Sequence, residues 1–173
     1  KRQDDLIRAF RAYHHLVNPN SRLLLVGSEA NAPSYRLQLE GLIASLGLLD
    51  HVYMPGAVGL REGLGGYYQA ADTFLCLSEH EGFCIPLVEA MAFDLPVITY
   101  DSTGVPYAMG GAGVLLRAKR YDLIAELIDL LVRDRDVRQR VLEGQRQRLT
   151  RLAPELVEKK LRAYVEQMLE RGR

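Results

Sequence analysis

Five short apolar segments recur along the chain, at 23–26, 52–54, 73–77, 97–100 and 114–116, and none of them alternates cleanly between apolar and polar residues. A strand of that kind needs both of its faces covered. The cover is supplied by the stretches between them, 6–17, 34–46, 65–71, 86–93 and 122–133, which carry helical spacing. Strands that alternate with helices pair in parallel through right-handed crossovers. The expected fold is therefore α/β, a Rossmann-like doubly wound parallel sheet. Two further helical stretches, 136–149 and 154–169, extend it at the C-terminus. On the last of these, Val157, Leu161, Tyr164, Val165 and Met168 form one apolar stripe, expected either to cap the sheet's own core or to make dimer contacts.

At 173 residues, 48% of them hydrophobic and 25% charged, the chain fits one well-buried core and is read as a single domain over 1–173. Its net charge is zero, which argues against nucleic acid as the main partner. Seven arginines against three acids between 133 and 151 make that region locally basic, read as a solvated helical face. Two cysteines, Cys76 in a strand and Cys84 in a loop, make no disulfide framework and suit a reducing compartment. No signal peptide and no apolar run near ~18 residues is present, so nothing here reads as a membrane span.

The run Ser78-Glu79-His80-Glu81-Gly82-Phe83-Cys84-Ile85-Pro86-Leu87-Val88-Glu89-Ala90-Met91 lies where the third strand meets a helix that opens at Pro86. Such junctions are where phosphorylated ligands sit in open α/β sheets. The residue before Pro86 is Ile85, which has no side-chain acceptor for the first-turn amides. The amides of Gly82, Phe83, Cys84 and Ile85 are thus left for an anion such as a diphosphate, or for water or a neighbouring loop. Glu89 is the only polar side chain between Ile85 and Phe93 and leans back toward the same loop. Its partner is the vicinal diol of a ribose, or first-turn amides or an arginine from elsewhere. Glu81, on the loop, is placed to reach a group bonded to the phosphates. Among the histidines only His80 adjoins this loop, and no spacing suggests a metal site, so no metal and no cofactor are expected.

At these residues the chain resembles the C-terminal, nucleotide-sugar-binding half of GT-B glycosyltransferases of the retaining group 1 type, family 4. Glu81-Gly82-Phe83-Cys84-Ile85-Pro86-Leu87-Val88-Glu89-Ala90-Met91-Ala92 fits that family's pattern of two glutamates with seven residues between them. Residues 1–10 look like the family segment that begins with the donor-phosphate lysine. The resemblance implies that Glu89 binds the ribose hydroxyls, that Glu81 with the amides of Gly82, Phe83, Cys84 and Ile85 holds the sugar and distal phosphate, and that Lys1 neutralises the diphosphate. It further implies that Val58 offers its backbone to the base and that Gly27 borders the cleft. Three positions depart from the family. The arginine usual ahead of the lysine would lie upstream of Lys1, the glycine common before Leu95 is Asp94, and the usual Pro-Glu is Pro106-Tyr107.

The function this implies is transfer of a sugar, with retention, from a nucleoside diphosphate sugar to a glycan or lipid-linked acceptor. Glu81 and Lys1 would serve catalysis at a site without metal, in the cytoplasm or at the inner face of the membrane. The acceptor domain would lie N-terminal to this chain and carry any peripheral membrane contact, leaving this piece able to bind nucleotide but transfer little sugar. The alternatives are a nucleotide-sugar epimerase-like enzyme and a non-catalytic α/β nucleotide-binding module.

Overall fold

The computed structural model describes residues 1–28, 33–59, 61 and 63–171. Its elements run α1 (Gln3–Leu16), β1 (Leu23–Val26), α2 (Pro33–Ser45), β2 (Val52–Gly56), α3 (Leu64–Ala70), β3 (Phe74–Cys76), α4 (Ile85–Ala92), β4 (Val97–Tyr100), α5 (Val105–Met109), β5 (Val114–Leu116), α6 (Tyr121–Arg133), α7 (Arg135–Arg151) and α8 (Pro154–Arg171). All five expected strands and the helices between them are present, as an α/β Rossmann-like arrangement.

Every ladder is parallel. Leu23 pairs with Val52 and Val26 with Gly56 between β1 and β2. Phe74 pairs with Val97 and Cys76 with Thr99 between β3 and β4, and Ile98 pairs with Val114 between β4 and β5. Among the described residues these ladders form two sheets, β1-β2 and β3-β4-β5, where the sequence pattern anticipated one continuous layer. The central strand β4 has Val97, Ile98 and Thr99 buried, which explains why its sequence shows no alternation.

Three apolar clusters hold the layers. Ile7 and Phe10 of α1 pack with Leu39 and Ile43 of α2 over Val52. Leu87 and Met91 of α4 pack with Val97, Val105 and Met109. Between these groups, Ala9 of α1 meets Leu77 and Ile124 of α6. Helix α1 carries Asp4 and Asp5 in its first turn and His14 and His15 in its last, signs that suit the helix dipole.

Helix α7 fastens the second sheet. Gln145, fully buried, donates from its amide nitrogen to the Leu95 carbonyl at 2.9 Å and accepts from the Val97 N–H at 2.9 Å. Arg148 donates to the carbonyls of Ala108 and Tyr107, and Arg146 donates to Asp94 at 2.8 Å. Part of the basic run expected to be a solvated face is therefore a strap onto α4 and α5. Asp94 takes a left-handed backbone, φ +53, at the end of α4, in the place of the glycine that such a C-terminus usually carries.

Two expectations need correction. The short helix α5 was not anticipated, because five residues are too few to show a period; Pro106 in its first turn was the available sign. The second concerns α8, which caps no core: its side chains from 154 to 169 are exposed, Leu161, Tyr164 and Met168 among them. Its stripe fits the spacing of a packed face but lies beyond the sheet that would cover it.

Candidate functional site

The loop between β3 and α4 is shaped by its neighbour, the loop between β4 and α5. Ser102 donates to the Ser78 carbonyl at 2.8 Å. The Thr103 hydroxyl accepts from the Glu81 N–H at 2.8 Å and donates to the Glu81 carbonyl at 2.6 Å, and the Gly104 N–H donates to that carbonyl at 3.0 Å. Gly104 is required here by close approach, since a β-carbon on it would overlap the Gly82 carbonyl. The loop therefore carries its own support.

What that support leaves open is the run of amides beyond Glu81. Among the described residues, the N–H groups of Gly82, Phe83, Cys84 and Ile85 donate to no protein acceptor. Cys84 is the N-cap of α4 with φ 62 and ψ 68, and no side chain caps the helix. The contrast within the same chain is α7, whose N-cap Asp134 accepts from the amides of Asp136 and Val137. A helix start with spare donors and the positive end of its dipole is a receptor for an anion.

The two glutamates have different settings. Glu81 is 6% exposed, and both of its oxygens accept from the Lys1 ammonium at 2.7 Å. Burial works to raise its pKa, but the hydrogen bonds from Lys1 and Ser78 hold it below the usual carboxylate value. Lys1 itself is largely exposed; burial opposes its charge, and the Glu81 carboxylate still raises its pKa. Glu89 is half-buried, and one of its oxygens accepts from the Tyr68 hydroxyl at 2.9 Å. Tyr68 belongs to α3, is 9% exposed and stacks on Phe93 with ring centroids 5.3 Å apart. Burial, then the Glu89 carboxylate, keeps its phenol protonated far above neutrality.

Lys1 owes its place to a second set of charges, which the sequence pattern did not reveal. Arg2 adopts a left-handed backbone, φ 57, and donates to Asp4, Asp5 and Glu79. Asp5, 2% exposed, also accepts from the Lys119 ammonium and the Tyr121 hydroxyl, each at 2.7 Å, and Lys119 donates onward to Glu79 at 2.8 Å. Burial of Asp5 is outweighed by Lys119, so its pKa falls below the ordinary value. This clasp joins the tip of α1 to the loops on either side of it.

The remaining expected positions lie apart. Gly27 follows β1 and donates to the Gly56 carbonyl at 2.9 Å, so it borders the turn that holds the half-buried Val58. Among the described residues, no hydrogen bond joins this pair to Glu81 or Glu89. One grouping escaped the sequence spacing altogether: the sulfurs of Cys76 and Cys84 lie 3.9 Å apart, and with a Glu81 oxygen they form a cluster whose atoms lie within 4.8 Å of one another. The hydrogen bond from Cys84 draws the Cys76 thiol down to about 6 and, with burial, pushes Cys84 above its usual value.

Comparison with known proteins bears on the family and the fold. The family model described as "Glycosyl transferases group 1" matches residues 1–148. Alpha-monoglucosyldiacylglycerol synthase of Acholeplasma laidlawii is 32% identical over 127 residues, which make up 73% of this chain and 30% of that protein. GDP-mannose:cellobiosyl-diphosphopolyprenol alpha-mannosyltransferase of Xanthomonas oryzae pv. oryzae is 33% identical over 116 residues, 66% of this chain and 30% of that one. The chain thus spans about a third of the curated relatives it matches. Among solved structures, the C-terminal domain of a glycosyl transferase group 1 family protein of Francisella tularensis superposes with a TM-score of 0.72 at 24% identity, over 87% of this chain and 78% of that domain. Sucrose-phosphate synthase of Thermosynechococcus elongatus gives a TM-score of 0.73 at 27% identity, over 95% and 42% of the two chains. Anabaena HepE, solved in complex with UDP-glucose, gives 0.74 at 23% identity, over 98% and 45%. An α/β domain of the GT-B kind is thereby matched in sequence and in shape, and the chain belongs to the group 1 glycosyl transferase family.

Proposed function

We propose that this domain binds the donor in a retaining glycosyltransferase, holding a nucleoside diphosphate sugar while an N-terminal partner domain presents the acceptor. The observation that carries this reading is the set of unshared amides from Gly82 to Ile85 beside an uncapped helix. The diphosphate would lie on those amides, with the ribose diol on Glu89. Tyr68 uses one oxygen of Glu89, which directs the carboxylate and leaves acceptor capacity for hydroxyl donors.

In the transfer the bond between the anomeric carbon and the distal phosphate oxygen breaks and the leaving diphosphate takes the electron pair, while the acceptor hydroxyl oxygen bonds to that carbon and its proton passes to the departing phosphate. The charge it gains is met by the helix end and the loop amides, both fixed beforehand, and by Lys1. Lys1 would turn from Glu81 to the phosphate as the donor arrives, which frees the Glu81 carboxylate to receive sugar hydroxyls. These groups neutralise the leaving group without a metal in the catalytic step. HepE, solved with UDP-glucose, supports a donor of this class.

Calorimetry of the 173-residue chain with UDP, GDP and ADP tests the reading. At least one should bind at about millimolar affinity, near −4 kcal/mol, because half of the cleft is supplied by another domain. Glu89→Ala should weaken it by roughly 10-fold or more, as loss of hydrogen bonds to a charged group does. No heat with any of the three, or equal affinity in Glu89→Ala, would sink the assignment.

A further inference from the structure

We propose that Cys76, Cys84 and Glu81 form a binding site for one thiophilic tetrahedral cation, Zn²⁺ being the ion whose geometry they fit. Zinc holds thiolates at about 2.3 Å, so two thiolates on adjacent corners of its tetrahedron lie about 3.8 Å apart. The two sulfurs here are 3.9 Å apart, a separation far longer than the ~2.05 Å of a disulfide. Glu81 supplies the third corner from within 4.8 Å of both. It closes on the ion once Lys1 releases it, and an exposed ammonium leaves readily for water. The fourth corner is left to water.

Local structure favours the same reading. Cys84 stands at a left-handed position, φ 62, where glycine or asparagine is the easy choice. Strain of that kind at a non-glycine residue points to a role for its side chain. Thr99 pairs with Cys76 across the ladder and turns its buried hydroxyl toward the Cys76 sulfur. A hydroxyl in that place is available to support a metal-bound sulfur as an outer-shell donor.

Binding is balanced in charge and protons. Two thiols lose two protons to solvent, two S–Zn bonds form, and the ion's two positive charges meet two thiolates and a carboxylate, with Lys1 close by. Glu81 then belongs to the metal rather than to Lys1, so zinc would hold the loop in a closed, inhibited state. The site stands whether or not the loop also takes a nucleotide.

The test is titration of the metal-free 173-residue chain, reduced with a phosphine, with Co²⁺ and then Zn²⁺. One equivalent of Co²⁺ should give thiolate-to-cobalt charge-transfer absorption and the intense visible bands of tetrahedral cobalt, and Zn²⁺ should erase both stoichiometrically. Cys76→Ser and Cys84→Ser should each lose about half of the charge-transfer intensity. Glu81→Gln should keep that intensity but bind roughly 10-fold more weakly or worse, at least the loss that follows removal of an outer-shell partner. Absence of the band in the wild type, or its survival in the double serine variant, overturns the site. Should a serine variant fail to fold, the wild type answers alone: Zn²⁺ must protect both thiols from iodoacetamide, and alkylation at an unchanged rate overturns the site.

Discussion

Gly104 lies so close to the carbonyl of Gly82 that no side chain fits between the β4–α5 loop and the β3–α4 loop. Gly82 itself faces open space, with nothing within 4 Å of a β-carbon placed on it. The two glycines therefore respond differently to the same change. Gly104→Ala should cost on the order of 2 kcal/mol through overpacking and should also weaken nucleotide binding. Gly82→Ala should leave the melting temperature in place and weaken nucleotide binding alone. Thermal melts beside calorimetry separate the two, and a stable Gly104→Ala protein would show that the loops are not locked together.

The Lys1 and Glu81 pair should shape the pH dependence of stability from both sides. Glu81 has a lowered pKa in the folded chain, so its contribution is full above the unfolded value of about 4.3 and is lost as pH falls through the folded one. Lys1 has a raised pKa, so its contribution is full below about 10.4 and is lost as pH rises through the folded value. Lys1→Ala should flatten both shoulders and cost about 1 kcal/mol at neutral pH, since the ammonium is mostly in water. For a chain this size that is a fall of about 2–4 °C, read from melts at several pH values.

On the proposed reading Tyr68, bonded to Glu89, would act on the ligand only through that carboxylate, as a positioning residue. Tyr68→Phe keeps the ring stacked on Phe93 and removes one hydrogen bond. Stability should change by about 1 kcal/mol. Nucleotide affinity should fall by less than in Glu89→Ala, with circular dichroism unchanged. A loss as large as that of Glu89→Ala would place the phenol itself on the ligand.

Gln145→Leu keeps a similar volume and leaves the Leu95 carbonyl and the Val97 N–H buried without partners. Each orphaned group costs about 1–3 kcal/mol. Urea unfolding should therefore show a loss on the order of 3 kcal/mol with little change in slope. A loss below about 1 kcal/mol would mean that water replaces the amide.

Most of the frame was legible because it rests on local pattern. Strands at 97–100 and 114–116 were bounded correctly from their apolar runs, and α4 was bounded to one residue by Pro86. The lack of a side-chain cap was visible for the same reason, since capping depends on one side chain, although the N-cap is Cys84, one residue before the expected Ile85. Contacts between distant residues left no such trace. Lys1 meets Glu81 across 80 positions and Tyr68 meets Glu89 across 21, and neither spacing has a period to detect. The approach of Cys76 and Cys84 was invisible in the sequence because the strand-to-helix turn that brings their sulfurs together depends on an unusual backbone at Cys84. Of the two roles expected for the α8 stripe, capping the core fails, because spacing records that a face is apolar, not what covers it.

The clasp around Asp5 also sets an order of events during synthesis. Its partners Lys119 and Tyr121 are translated 114 and 116 residues later. At ribosomal speeds of about 5–20 residues per second, the tip of α1 waits for several seconds before the groups that fix it exist. The tip of α1 is thus finished late, after most of the strands have left the ribosome, and a nascent chain stalled before residue 119 would carry the Asp5 carboxylate without its ammonium and phenol partners.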